Sequence, residues 1–168
     1  VLNIDVAYGG NFYAIIDIQK NFKGIKAYSA GQLVGWSREI RSQINSQNHF
    51  EHPLDPKIKG CSHVLWGGKP TQKNSIASNA VFYGDKAIDR SPCGTGSSAR
   101  MAQLFSQNKL KVGEVFIHES YIGSKFVCRI EKSSKIQKID GISPVIKGWA
   151  KIIGYNKIIV DSSDPFYN

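Results

Sequence analysis

Apolar residues recur at helical spacing in one long segment of the chain and fall into shorter strand-like runs elsewhere. The helical face consists of Leu33, Trp36, Ile40 and Ile44. This spacing predicts a helix from Ala30 to Gln47, and Ser29 followed three residues later by Gln32 has the spacing of a capping box. Strands are predicted near residues 2–7, 12–18, 62–66, 76–83, 112–120, 124–131, 144–153 and 157–161. The polar run 132–135 predicts a connection.

A second helix is predicted where a glycine-rich turn ends. Residues 89–102 read DRSPCGTGSSARMA and continue into further apolar positions. Two serines suited to capping come before apolar positions with partial three-to-four spacing. The segment therefore places Cys93 at a transition from turn to helix.

A cysteine in this position has a chemical use. The first amides of a helix lack intrahelical partners, and the helix dipole adds about half a positive charge there, so thiolates and carboxylates are both stabilised. A thiol has a pKa of about 8.5 that such a site lowers, which makes it both a base and an acid near neutral pH. Taken alone, a cysteine beside Gly-x-Gly is also typical of an ordinary turn with a buried thiol.

The whole segment 89–102 resembles the second cysteine motif of the proline racemase family, which includes the 4-hydroxyproline epimerases. Residues 5–14, DVAYGGNFYA, resemble the strand and turn at which that family's chain crosses over. Residues 148–154, GWAKIIG, and 164–166, DPF, are similar to its closing strands. The resemblance covers nearly the whole chain, in order.

The resemblance implies an α+β fold, one diaminopimelate-epimerase-like half in which a mixed sheet or barrel wraps around a central helix. Residues 1–135 would form a catalytic half-domain. Residues 136–168 would be C-terminal strands that pack on an N-terminal half. The family resemblance also implies a homodimer.

The activity implied is a proton transfer at the α-carbon of proline or 4-hydroxyproline, without a cofactor, by two cysteines on opposite faces of the substrate. Cys93 would be one acid/base. The amides of Gly94 and Thr95, with the Thr95 hydroxyl, would hold the carboxylate, Asp89 would pair with the ring ammonium, and Tyr83 would face the ring. From the residues alone, Asp89 is also typical of a turn carboxylate paired with the adjacent arginine, and Tyr83 of a core aromatic.

The chain departs from the family pattern in one respect, because the partner cysteine belongs to a Cys-Gly-His motif that does not occur here. The chain therefore resembles half of an enzyme, and the missing N-terminal half or another chain would supply the second thiol. Cys61 and Cys128 lack the glycine-rich context and are predicted to be buried or inert. Cysteine at position 93, where related dehydratases have threonine, favours racemisation or epimerisation. The turn at residues 83–88 resembles racemases somewhat more than many hydroxyproline epimerases.

Composition narrows the remaining function classes. A chain of 168 residues with 41% apolar residues can bury a core. The net charge of +9 raises nucleic acid as a partner, but the basic residues are scattered, which favours a solvated surface. The four histidines form no metal pattern. No stretch predicts a membrane span or signal peptide, and the three cysteines fit a reducing cytoplasm better than a disulfide framework.

Two other functions stay open at this point. The Gly94–Ser97 amides would also suit a noncatalytic module that binds a carboxylate or phosphate. A half-domain that acts only by pairing with another chain is the third interpretation.

Overall fold

The computed structural model describes residues 1–166, which form a mixed sheet, a small separate hairpin and two α-helices. The strands are β1 (Asp5–Tyr8), β2 (Phe12–Ile16), β3 (Glu51–His52), β4 (Asp55–Lys59), β5 (Cys61–Gly68), β6 (Ala77–Tyr83), β7 (Ala87–Ile88), β8 (Val115–Ser120), β9 (Lys125–Ile136) and β10 (Ile139–Lys147). The helices are α1 (Ala30–Gln47) and α2 (Gly94–Ser106), and Ile25–Ala27 form a 3-10 turn.

Helix α1 has the predicted bounds because its N-terminus carries a complete capping box. The Ser29 side chain accepts a hydrogen bond from the Gln32 amide at 3.3 Å, and the Gln32 side chain accepts one from the Ser29 amide at 2.9 Å. Both bonds satisfy amides that a helix start leaves without intrahelical acceptors. The predicted helix over residues 30–47 is confirmed.

The main sheet has the order β1-β2-β5-β6-β8-β9-β10, with β7 paired to β6. Its β2–β5 and β6–β8 pairs are parallel and the others are antiparallel. Alternation along the central strands sends side chains to opposite faces. In β5, for example, Val64 and Trp66 pack in the cluster that contacts α1, whereas Leu65 packs in the cluster that contains Ala99 of α2.

The sheet curls around α2, which contacts β1 near one edge and β10 at the other. A third cluster fills the space between the helix and the far strands, and it consists of Met101, Leu110, Phe116, Cys128 and Ile130. A mixed sheet wrapped around a central helix is the architecture that the family resemblance implies, and the α+β class is confirmed.

The prediction was wrong for the strands after residue 131. The run 132–135 is no connection: it lies inside β9 and pairs with β10, and the turn between them falls at residues 137–138. The prediction was based on the polar side chains of this run. Strand pairing uses backbone hydrogen bonds, and an exposed strand tolerates polar residues. The strand predicted at 144–153 is instead β10, which ends at Lys147.

Residues 148–161 contain no strand, although two were predicted there in whole or in part. This segment carries several exposed apolar side chains, which include Trp149, Ile152, Ile153, Tyr155, Ile158, Ile159 and Val160. A strand needs a neighbouring backbone to pair with, and none within residues 1–166 pairs with this segment. The boundary at residue 135, between a half-domain and a C-terminal segment, stays a prediction. The last two residues of that segment, 167–168, lie outside the described residues.

Candidate active site

Cys93 is the N-cap residue of α2, so the predicted transition from turn to helix is confirmed. Its sulfur accepts a hydrogen bond from the Gly96 amide at 3.3 Å, and its carbonyl accepts one from the Ser97 amide at 2.9 Å. The helix begins earlier than the two serines suggested, since Ser97 and Ser98 lie inside its first turns. The sulfur therefore sits at the positive end of the helix dipole.

The backbone of Cys93 is unusual, with φ at +65° and ψ at 124°. Few residues other than glycine adopt positive φ values, because the Cβ atom crowds the backbone. The conformation turns the thiol back over the first helical turn, where it caps the Gly96 amide. Sulfur placement and backbone strain therefore occur at the same residue.

Two amides next to the sulfur are open. Among residues 1–166, no acceptor is found for the N–H groups of Gly94 and Thr95. Gly94 is exposed, and nothing would lie within 4 Å of a Cβ atom added there. The first turn of α2 thus combines a sulfur, two unsatisfied donors and free space, which suits an anionic ligand.

Tyr13 and Thr95 contact the sulfur from inside the protein. The Tyr13 hydroxyl lies 3.3 Å from Sγ of Cys93 and 2.6 Å from Oγ1 of Thr95. The third side of this triangle, from Thr95 Oγ1 to Sγ, measures 3.6 Å. Tyr13 is fully buried, and burial, followed by its contact with Cys93, raises the pKa of its hydroxyl far above the ordinary value. The phenol therefore keeps its proton at any physiological pH.

The turn between β1 and β2 brings Tyr13 to the helix. A Cβ atom at Gly9 would lie 2.2 Å from the Thr95 carbonyl oxygen and 2.4 Å from the Ala99 nitrogen. At Gly10, where φ is +113°, it would lie 2.7 Å from Cγ2 of Thr95. The Gly-Gly pair lets the two backbones approach closely enough for the Tyr13 hydroxyl to meet the sulfur.

A buried polar cluster lies beneath the cysteine turn. His118 Nδ1 is 2.9 Å from the Ser97 hydroxyl, which donates to the Pro92 carbonyl at 3.2 Å. The Asn79 side chain donates to the same carbonyl at 2.8 Å. Burial, with a smaller contribution from the charge of Arg100, lowers the pKa of His118 to about 3. A neutral imidazole thus supports the peptide that precedes Cys93.

Asp89 lies on the loop between β7 and α2. Its carboxylate accepts a hydrogen bond from the Ser91 amide at 2.8 Å, as a turn carboxylate does. The alternative role of Asp89, a turn carboxylate paired with Arg90, agrees with the structure only in its turn, because no ion pair joins Asp89 to Arg90 within residues 1–166. The negative charge of Asp89 makes a minor contribution to the raised pKa of Tyr13.

Tyr83 ends β6 with 45% of its surface exposed, so the core alternative is wrong. Val81, two residues earlier, packs in the cluster on the α2 face, and alternation assigns Tyr83 to the same face. The turn after Tyr83 is attached to α1, because Arg41 donates to the Gly84 carbonyl and pairs with Asp85.

The other two cysteines are buried, as predicted. Burial raises the pKa of both Cys61 and Cys128 to about 11. Neither thiol hydrogen-bonds to a residue of the Cys93 turn in the described part of the chain. Only Cys93 combines partial exposure with the helix terminus.

The described residues provide neither a metal-binding cluster nor a membrane-spanning helix. Among residues 1–166, no three histidine, cysteine or acidic side chains group closely enough to hold a metal ion. The helices in this part of the chain are too short or too polar to cross a membrane.

Sequence reasoning missed two contributors to the site. Tyr13 lies within residues 5–14, which resemble the family, but nothing local distinguishes its hydroxyl from that of any strand tyrosine. For His118 the sequence indicates only that it belongs to no metal-binding pattern. Its place within an apolar strand, FIH, was the available signal for a buried imidazole with a hydrogen-bond partner.

Comparisons with known proteins agree on one relationship. A family model described as proline racemase matches residues 1–168. The 4-hydroxyproline 2-epimerase of Spirosoma linguale is 58% identical over 166 residues, which are 99% of the chain and 50% of that relative. The 4-hydroxyproline 2-epimerase of Shewanella loihica is 55% identical over 165 residues, 98% of the chain and 50% of that relative. The chain spans about half the length of these curated relatives.

Solved structures show the same fold. A hydroxyproline epimerase from Agrobacterium vitis, solved with bound trans-4-hydroxy-L-proline, superposes with a TM-score of 0.83 at 28% identity, over 99% of the chain and 47% of that structure. A probable proline racemase from Agrobacterium radiobacter, solved with bound carbonate, gives 0.84 at 31% identity, over 99% and 48%. With the cysteine at the helix entry, the curled sheet and a match over its full length, the chain belongs to the proline racemase family.

Proposed function

We propose that this chain is one catalytic half of an epimerase or racemase that inverts the α-carbon of a proline-type amino acid. The observation that carries the proposal is the placement of the Cys93 sulfur on the Gly96 amide, beside the open amides of Gly94 and Thr95. A base and an anion site are adjacent there. An α-amino acid needs both, because its carboxylate must be held while its α-proton is removed.

The proposed reaction is a proton transfer that needs no cofactor. The Cys93 thiolate takes the α-proton, and the electron pair of the broken C–H bond moves onto the α-carbon and its carboxylate. The amides of Gly94 and Thr95 stabilise that charge through the carboxylate oxygens. A second thiol delivers a proton to the opposite face, which inverts the configuration. Asp89 pairs with the ring ammonium, and Tyr83 faces the ring.

The second thiol belongs to a part of the protein other than residues 1–166 in this proposal, because Cys61 and Cys128 are buried in core clusters other than the one that Cys93 contacts. The N-terminal half that the relatives contain is the proposed source, and the complete protein is proposed to be a cytoplasmic homodimer. The segment 148–166 is proposed to pack on that half, which would cover its exposed apolar side chains.

The substrate proposed is 4-hydroxyproline. Relatives at 58% and 55% identity are named 4-hydroxyproline 2-epimerases, which outweighs the likeness of the 83–88 turn to racemases. The ring hydroxyl takes no part in the proton transfer at the α-carbon, so L-proline would follow the same mechanism.

Proton NMR in deuterated buffer tests the proposal. Trans-4-hydroxy-L-proline should lose its α-proton signal in the presence of the chain, alone or combined with the N-terminal half of a relative. Cys93→Ser should abolish the exchange, and the matched variant Cys128→Ala should retain it, because Cys128 is buried outside the site. Exchange by Cys93→Ser at the original rate would overturn the proposal.

A binding measurement separates the noncatalytic alternative. Pyrrole-2-carboxylate is planar and resembles the carbanion, so it should protect Cys93 from alkylation. A chain that binds this analogue but exchanges no proton, even with the N-terminal half present, would be a carboxylate-binding module.

A further inference from the structure

We propose that the Thr95 hydroxyl serves the Cys93 sulfur rather than the substrate carboxylate: it donates to the Tyr13 oxygen, and the Tyr13 proton is thereby directed at Sγ. The proposal rests on the proposed function for its catalytic meaning. It assigns Tyr13 a catalytic role, as a donor to the reacting atom, and makes Thr95 a positioning residue that acts through Tyr13.

The number of available hydrogens limits the arrangements. Tyr13 and Thr95 each carry one hydroxyl hydrogen, and their oxygens are 2.6 Å apart, so one of them donates to the other. If Thr95 donates, the Tyr13 hydrogen is available to the sulfur at 3.3 Å. If Tyr13 donates, the Thr95 hydrogen reaches the sulfur only across 3.6 Å. The shorter contact favours the order Thr95 to Tyr13 to Cys93.

The packing of Thr95 supports this order. Its Cγ2 atom lies against the backbone of the β1–β2 turn, where a Cβ atom on Gly10 would be 2.7 Å away. A β-branched side chain has a stiff χ1 angle, so the methyl contact also fixes the hydroxyl. The hydroxyl faces the buried Tyr13 oxygen in this rotamer. Because the hydroxyl is engaged with Tyr13, only the backbone amide of Thr95 remains free to donate to a carboxylate.

The protonation state of Tyr13 gives the contact its direction. Because burial raises the pKa of the phenol, Tyr13 donates a hydrogen bond and cannot accept the substrate proton. A hydrogen bond to the charged form of a group favours that form. The sulfur thus receives two donors, the Gly96 amide and the Tyr13 hydroxyl, while it is a thiolate. Once it gains the α-proton, the Tyr13 proton stays on its oxygen.

The pH dependence of Cys93 alkylation tests the proposal independently of catalysis. Iodoacetamide labelling would be followed by peptide mass spectrometry over pH 5–10. We expect Tyr13→Phe to slow labelling about tenfold at neutral pH and to move the half-maximal rate about one pH unit upward, as for a lost hydrogen bond to a charged group. Tyr28→Phe is the matched control, because that hydroxyl contacts only the Lys23 amide at 3.4 Å among the described residues.

Thr95→Ala and Thr95→Ser form a second matched pair, because both lack the methyl group and only the serine variant keeps a hydroxyl. Thr95→Ala should slow labelling by up to about threefold relative to Thr95→Ser, since it removes only the polarisation of Tyr13. In the Tyr13→Phe background the two should label equally. Both should bind pyrrole-2-carboxylate with equal affinity.

Three results would overturn the proposal. An unchanged profile in Tyr13→Phe would mean that the phenol does not act on the sulfur, and a larger effect of Thr95→Ala than of Tyr13→Phe would mean that Thr95 donates directly. If Thr95→Ala bound the analogue about tenfold or more weakly than Thr95→Ser, the Thr95 hydroxyl would be a ligand of the substrate carboxylate. If Tyr13→Phe does not fold, the threonine pair decides. If the unmodified chain binds no analogue even with the N-terminal half of a relative present, the proposed function fails while the labelling profiles still decide the sulfur contact.

Discussion

Nδ1 of His118 lies 2.9 Å from Oγ of Ser97, and neither side chain is exposed to solvent. The bond joins the sheet, through β8, to the first turn of α2 just below the cysteine. A charged imidazole would be costly there, because burial disfavours the protonated form. Protonation of His118 and integrity of the site are therefore linked.

This linkage predicts acid sensitivity. The pKa of His118 is lowered to about 3 in the folded chain, so below the ordinary value of about 6.5 the unfolded chain binds the proton first. The stabilisation is complete above pH 6.5 and is lost as the pH falls toward 3. We expect this histidine to contribute a decrease of about 1.4 kcal/mol per pH unit in the free energy of unfolding between pH 6 and 4.

Urea unfolding at several pH values measures this slope. His118→Asn retains an amide that can meet Ser97 but does not titrate, so its curve should lack that component. His49→Asn, at an exposed position, should keep the slope of the unmodified chain. The expectation would be contradicted if the free energy of unfolding fell with pH equally in the unmodified chain and in His118→Asn.

Thiol labelling should be selective. Cys61 and Cys128 have pKa values raised to about 11 by burial, so at pH 8 only about a thousandth of either is thiolate. We expect iodoacetamide to modify Cys93 in the native chain and all three cysteines after denaturation, as counted by intact mass. Early labelling of either buried cysteine in native buffer would show that the core opens.

The Gly9 contact predicts a large effect from one methyl group. Gly9→Ala places a Cβ atom 2.2 Å from the Thr95 carbonyl oxygen, so β1 or α2 must shift. We expect a loss of about 3 kcal/mol in unfolding free energy together with slower labelling of Cys93. Gly35→Ala is the control, since nothing lies within 4 Å of its added Cβ on exposed α1. That change should instead stabilise the chain by about 0.5–1 kcal/mol.

The arginine contacts to the Tyr83 turn predict an effect on ligand binding. Arg41→Ala removes the contacts to the Gly84 carbonyl and the Asp85 carboxylate, and we expect about a fivefold weaker affinity for pyrrole-2-carboxylate through the displaced Tyr83 ring. Asp85→Asn keeps the carbonyl contact and should change the affinity less than twofold. Asp85→Asn should alter the unfolding free energy by less than about 1 kcal/mol, because Asp85 is exposed, whereas Arg41→Ala also removes the contact of the guanidinium with the Phe82 ring. Equal affinities for the two variants, by calorimetry, would argue against a positioned turn.

Local signals account for the parts of the fold that sequence reasoning predicted. Helix α1 combines an apolar stripe with a capping box, and its predicted bounds agree with the structure. The entry of α2 at Cys93 was predictable because proline and glycine restrict or free the backbone in a recognisable order.

The remaining features depend on partners distant in sequence. Residues 148–161 have strand-like composition but no pairing partner in the described chain. The Tyr13 hydroxyl meets a sulfur 80 residues away, and the pattern around neither residue encodes that contact. Tertiary packing decides such relationships, so a motif can identify the thiol without identifying its hydrogen-bond donor.

At Cys93 the positive φ lowers the stability of the fold, while the side chain provides the thiol of the site. A strained backbone of this kind costs about 1–3 kcal/mol in a residue with a Cβ atom, and glycine would adopt it without that penalty. Selection for stability alone would therefore favour glycine at residue 93, whereas the proposed reaction requires the sulfur. Efforts to make the protein more heat-resistant should leave this strain in place and seek stabilising changes elsewhere.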